Sequence, residues 1–113
     1  MLSDQRVAPT LAVSDMERAR RFYEETLGLS IEAEVEGTIR YKCGGGTGLA
    51  LYERPMEATD RTVAAFEVED IEREVEDLRG RGVEVEGIIT LPSGLKRGFF
   101  KDPDGNVIGM RQL

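Results

Sequence analysis

The chain has 113 residues, 40% hydrophobic and 33% charged, with 22 Asp and Glu against 15 Lys and Arg for a formal net charge of -7. That length fits one compact domain, the acidic balance repels a phosphate backbone, and no apolar run approaches a membrane span, so nucleic acid and membrane are both set aside as partners. There is no histidine and one cysteine, Cys43, which removes an internal disulfide, Cys-rich zinc sites and every mechanism built on an imidazole base. The first residues, Met1 to Arg6, lack the basic segment and apolar core of a secretory signal, so a cytoplasmic protein is expected.

The run Val7 to Val13 is apolar and bounded by polar residues, which suits a strand, with Pro9 tolerable near its start. Ser14 or Asp15 then caps a helix, and Ser14 with Glu17 fits the capping-box spacing. Met16, Ala19, Phe22, Tyr23 and Leu27 share one helical face and Gly28 stops it. From Leu29 the period becomes two. Ile31, Ala33 and Val35 alternate with Glu32, Glu34 and Glu36 as in a half-exposed strand, Gly37 turns the chain into a strand from Thr38 to Cys43, and Gly44 to Gly48 turns it again into Leu49 to Tyr52. After a polar connection from Arg54-Pro55 to Asp60 the order returns: a strand from Thr62 to Val68, an Asp70-capped helix with Ile71, Val75 and Leu78 inward, an alternating strand through Val83, Val85 and Ile88-Ile89, then Gly98 to Lys101, the turn Asp102-Pro103-Asp104-Gly105-Asn106 and a last strand from Val107 to Arg111.

The joint Val13-Ser14-Asp15-Met16-Glu17-Arg18 is restated 55 positions on as Val68-Glu69-Asp70-Ile71-Glu72-Arg73. The chain is an internal duplication, with units of about 5–55 and 60–113 inside a single domain over 1–113.

These residues carry a resemblance. Two βαβββ units, the phrase Arg21-Phe22-Tyr23-Glu24-Glu25-Thr26-Leu27-Gly28-Leu29 after the first joint, and the closing Phe100-Lys101-Asp102-Pro103-Asp104-Gly105-Asn106 resemble the vicinal oxygen chelate superfamily of glyoxalases, bleomycin-resistance proteins and extradiol dioxygenases. The resemblance implies an α+β fold in which curved mixed sheets form a concave cup, with the helices on the convex side. In the superfamily's metalloenzymes His or Glu ligands stand on four strands of the cup; the corresponding positions here are Ala8, Ala50, Val63 and Gly109, none of which can hold a metal. No metal and no cofactor are therefore expected.

Residues two apart on a strand share a face, so the same cup collects Thr10, Ala12, Gly48, Tyr52, Ala65, Glu67, Val107 and Arg111. Small residues at its centre would leave space, with Tyr52, Glu67, Arg97, Phe99 and Arg111 around them as the candidate ligand-binding groups. Against this stands a structural reading in which Glu67 and Arg111 form an ion pair across the sheet and the small residues merely permit close packing. Gly44 to Gly48 lacks the Lys-Ser/Thr ending and following helix of a phosphate cradle, Cys43 lacks an activating base, and the glutamates other than Glu67 suit a solvated acidic surface.

The expected function is metal-free binding that sequesters a small organic ligand, in a homodimer, with an acidic surface steering a cationic ligand. The alternative is a lyase, isomerase or dioxygenase-like enzyme of the same superfamily, with no assigned catalytic residue set. It would be cofactor-free, with Glu67 as base and Tyr52 or Arg111 stabilising an anion, or it would use a non-standard metal site.

Overall fold

In both copies of the repeated joint an aspartate ends the strand and starts the helix. The Asp15 carboxylate accepts from the Arg18 amide and the Asp70 carboxylate from the Arg73 amide, each at 3.2 Å, satisfying a first-turn N–H that has no partner inside its helix. The cap in the first unit is thus Asp15 and not Ser14. A second, less local device repeats as well: the Met16 amide donates to Glu53 at 2.9 Å and the Ile71 amide to Gln112 at 2.7 Å. In each unit the end of the last strand closes the start of the helix.

The computed structural model describes residues 1–55 and 60–112; the expected connection at 56–59 and the terminal Leu113 lie outside the described residues. Two compact units result, Met1–Glu57 and Ala58–Leu113. The first runs β1 (Thr10–Val13), α1 (Met16–Arg20) with a π-helical continuation (Arg21–Thr26), β2 (Ser30–Val35), β3 (Thr38–Lys42) and β4 (Gly48–Glu53). The second runs β5 (Thr62–Glu67), α2 (Ile71–Gly80), β6 (Ile89–Thr90), β7 (Lys96–Lys101) and β8 (Val107–Gln112). Each forms a four-stranded mixed sheet, β1-β4-β3-β2 and β5-β8-β7-β6, with the first strand parallel to the last and the other pairs antiparallel. The α+β architecture and the duplication follow the sequence. No helix among the described residues is long and apolar enough to cross a membrane.

One face of each sheet is covered by its own helix. In the first unit Leu11, Val13, Ile39, Leu49 and Leu51 are buried with Ala19 and Tyr23 of the helical segment. Tyr23 stacks on Tyr41 at 6.0 Å, and the buried Tyr41 hydroxyl donates to Glu24 at 2.8 Å. Burial first, then that hydrogen bond, raises the Tyr41 pKa. In the second unit Ile71, Val75 and Leu78 lie with Phe100, Ile108 and Met110. Met16, Phe22 and Leu27, expected on the inward face of α1, are only half-buried.

Three expectations about strands change. The first strand begins at Thr10, not Val7, because Pro9 has no N–H to give to a ladder; its carbonyl still accepts from the Ala50 amide at 2.9 Å. The expected strand through Val83, Val85 and Ile88 shrinks to Ile89–Thr90. Val83 and Val85 are buried all the same, and the Val85 carbonyl is taken by the Arg79 guanidinium, through Nη2 at 2.6 Å and Nε at 3.2 Å. A side chain from the helix end thus replaces a neighbouring strand as partner of that backbone.

In β2, Ile31 stands opposite Tyr41 but Ala33 opposite Arg40, so a bulge at Glu32 breaks the alternation. Past it Glu34 lies opposite Ile39 on the helix side, where Arg20 binds it at 2.7 Å, and Val35 turns to the other face. The glutamates of β2 are therefore not one solvated row.

Candidate functional site

The turn Asp102 to Asn106 sets the candidate site by fixing how β7 meets β8. Asp102 Oδ1 accepts from the amides of Asp104 and Asn106, each at 2.9 Å, and Oδ2 from Asn106 Nδ2 at 2.8 Å. Gly105 takes the left-handed conformation, φ 85, that closes the turn. Both Asp102 and Asn106 are buried. With this connection held, Arg97 lies opposite Arg111, Phe99 opposite Gly109 and Lys101 opposite Val107, while Glu67 lies opposite Arg111 on its other side and Ala65 opposite Gly109.

Strand alternation puts all of these on the face away from α2. They form cross-strand rows: Glu67, Arg111, Arg97 and Ile89 in one, and Ala65, Gly109 and Phe99 in the next. The Arg97 guanidinium lies 5.8 Å from the centre of the Phe99 ring, within cation–π range. Beyond the ends of β5 and β8 a groove of about 530 Å³ is lined by Glu67, Val68, Glu69, Leu95, Arg111 and Gln112. Four of the five residues singled out in the sequence therefore share one face of one sheet. Tyr52 stands on the corresponding face of the first unit's sheet, in a row with Ala12, Thr38 and Val35.

The floor of these faces is less open than small residues suggest. A Cβ built on Gly109 would lie 3.4 Å from Ala65 Cβ, 3.4 Å from Thr62 Cγ2 and 3.5 Å from Phe99 Cε1, and one on Gly48 would lie 3.2 Å from Arg6 Nη2. Phe99 and Arg6 occupy the room the glycines leave. Val63, one of the four metal positions reached by counting, falls in a bulge between Thr62 and Ala64, and Thr62 stands opposite Val107 where plain alternation would put Val63. Among the described residues no hydrogen bond or ion pair joins Glu67 to Arg111.

On the first sheet the dominant polar feature is one that local sequence pattern does not show. Arg6, from the segment before β1, holds Glu32 of β2 through Nη1 at 2.8 Å and Nη2 at 3.2 Å. Because β4 and β3 lie between β1 and β2, the pair bridges the width of the open face, passing Gly48. The Arg6 hydrogen bond keeps the Glu32 carboxyl below its usual range, with Arg40 and Lys42 helping from β3.

A carboxyl depressed in the folded state stabilises the fold above the ordinary glutamate range, near pH 4.3, and loses that contribution as pH falls through its lowered value. Urea midpoints measured from pH 6 down to pH 3 should accordingly separate the parent from Glu32→Gln, the gap closing towards the acid end. A gap that stays constant with pH would remove the charge from the explanation.

Other candidates do not gather chemistry. Burial raises the Cys43 pKa, the opposite of thiolate activation, and the Gly44–Gly46 segment is a tight turn that joins β3 to β4 with the Cys43 amide bonded to the Thr47 carbonyl at 3.0 Å. At the four positions where metalloenzymes of such a fold place ligands, Ala8, Ala50, Val63 and Gly109 offer no donor side chain, and the described residues contain no group of three or more His, Cys, Asp or Glu side chains placed to hold a metal. The residues present do not fit the metal. Glu67 is exposed, unlike the desolvated setting in which a carboxylate serves as base near neutral pH.

A duplicated βαβββ chain with one helix-covered and one open face on each sheet is the class of protein these elements define. The chain belongs to the Glyoxalase/Bleomycin resistance protein/Dioxygenase superfamily, whose model matches residues 6–110. Among curated proteins it is similar to the uncharacterized protein YraH of Bacillus subtilis strain 168, with 29% identity covering 91% of this chain and 94% of that one. Among solved structures it is similar to SMU.1112c, at 27% identity and a TM-score of 0.82 over 95% of this chain and 98% of that one. It is also similar to TnmS3, an antibiotic binding protein from Streptomyces sp. CB03234, at 30% identity and a TM-score of 0.77 over 96% of each chain. Membership in this superfamily, with an antibiotic binding protein among the similar structures, supports small-molecule binding at the level of the family.

Proposed function

We propose that this chain binds a small organic molecule on the open face of its second sheet, without a metal, and holds it rather than transforming it. The observation that carries the reading is the row Glu67, Arg111, Arg97 with Phe99 beside it. An aromatic ring flanked by convergent charged groups is a common form of ligand site. The donor-free metal positions and the exposure of Glu67 favour binding over catalysis, and the similarity to TnmS3 agrees with it. Tyr52 belongs to the other unit, and the four second-unit residues carry the proposal without it. The reading extends to a homodimer in a cytoplasmic setting; Val35 and Ile89, apolar and 68% and 47% exposed on outer strands, are surfaces that a second copy would cover.

Ligands found by a thermal-shift screen of small aromatic compounds should lose or change affinity in both Glu67→Gln and Arg111→Ala, with the compound recovered intact after incubation. Affinities unchanged in both variants would place the site elsewhere, and a recovered product would make the protein an enzyme.

A further inference from the structure

The duplication supplies an internal control for the candidate site. Matching registers equate the row Ala12, Tyr52, Thr38, Val35 of the first sheet with Glu67, Arg111, Arg97, Ile89 of the second. The backbone framework is shared, yet the first row is neutral and the second charged. Whatever the charges do, the fold does not require them.

Their arrangement is costly as it stands. Arg97 and Arg111 are directly opposite each other, which sets their Cβ atoms about 5 Å apart, and like charges so placed destabilise a sheet. Among the described residues no hydrogen bond or ion pair ties either guanidinium to a carboxylate. Glu67 borders Arg111 in the row, and Glu69 lines the groove from beyond the strand, but Lys101 adds a third cation to the same face. A chain of net charge -7 thus gathers three cations and one carboxylate on this sheet face. The local charge is opposite in sign to the whole, against the expectation of a cationic ligand.

We propose that the ligand is an aromatic carboxylate, its anionic group held between Arg97 and Arg111 and its ring laid against Phe99. This rests on the binding site proposed above and adds the ligand's charge. Paired guanidiniums present forked donors that match a carboxylate, and an anion between them would offset the repulsion between Arg97 and Arg111. Glu67 then acts against the ligand, discriminating against more highly charged anions.

Amide NMR titration of the full chain with naphthoate, naphthamide and naphthylmethylammonium tests both levels. Naphthoate is expected to shift the amides of Phe99, Gly109 and Arg111, to weaken at least tenfold in Arg97→Ala and in Arg111→Gln, to strengthen severalfold in Glu67→Gln, and to weaken as salt rises. Because these side chains are exposed, unchanged spectra elsewhere will show that the variants are folded. If the ammonium probe shifts those amides and Glu67→Gln weakens it, or if naphthamide binds as well as naphthoate, the site stands and the anion assignment falls. If none of the three probes moves those amides, both fall.

Discussion

Replacing Asp102 with Ala should cost about 3 kcal/mol of unfolding free energy, a large share of the stability of a chain this size. The carboxylate accepts two backbone amides and the Asn106 side chain in a buried turn, and stranding buried donors costs more than the net worth of the bonds themselves. Asp102→Asn should lose less, because one oxygen can still accept from the two amides while the new amide group faces the Asn106 nitrogen. Urea unfolding of both variants checks this; a loss below 1 kcal/mol for Asp102→Ala would mean that the β7–β8 connection is held by strand pairing alone. The same variant should weaken whatever binds to Arg97 and Arg111, since their opposition depends on the register this turn sets.

Gly98→Ile is expected to destabilise by about 3 kcal/mol, although isoleucine is what the first unit carries at the equivalent place, Ile39. A Cβ on Gly98 would already meet Met110 Cε at 3.7 Å, Ile71 Cδ1 at 3.8 Å and Val75 Cγ2 at 3.9 Å. Those are ordinary contacts, so Gly98→Ala should be neutral or gain about 0.5 kcal/mol from reduced backbone freedom. The further carbons of isoleucine would have to enter α2. Thermal unfolding of the two variants side by side tests the idea, and an Ile variant as stable as the parent would mean that α2 is free to ride outward.

The pair of βαβββ units was legible because its signals are local. Asp15 and Asp70 stand three residues before the amides they cap, Gly28 ends the first helical segment, and the Asp102 to Asn106 turn has its glycine where a left-handed residue is needed. The candidate row was legible in part for the same reason: strand alternation alone put Glu67 with Ala65 and Arg111 with Gly109, and the same alternation could have added Lys101 to Phe99 and Arg97. Two bulges break that alternation. One at Glu32 turned Ala33 and Val35 away from the face of Ile31, and one at Val63 gave Thr62 the place opposite Val107 that plain alternation assigns to Val63. A bulge arises from how two strands fit, and one strand's sequence does not show it.

The sequence by itself determined the duplicated α+β framework, the absence of imidazole chemistry and the lack of donors at Ala8, Ala50, Val63 and Gly109, because composition, capping and period act over a few residues. Tertiary structure decided that Arg79 would hold the Val85 carbonyl in place of a strand, that Arg6 would reach Glu32 across the first sheet, and that Arg97 would face Arg111 without a carboxylate bound to either among the described residues. These are pairings between distant segments, fixed by strand register and by which side chain reaches a buried or crowded group first, and no local pattern encodes them.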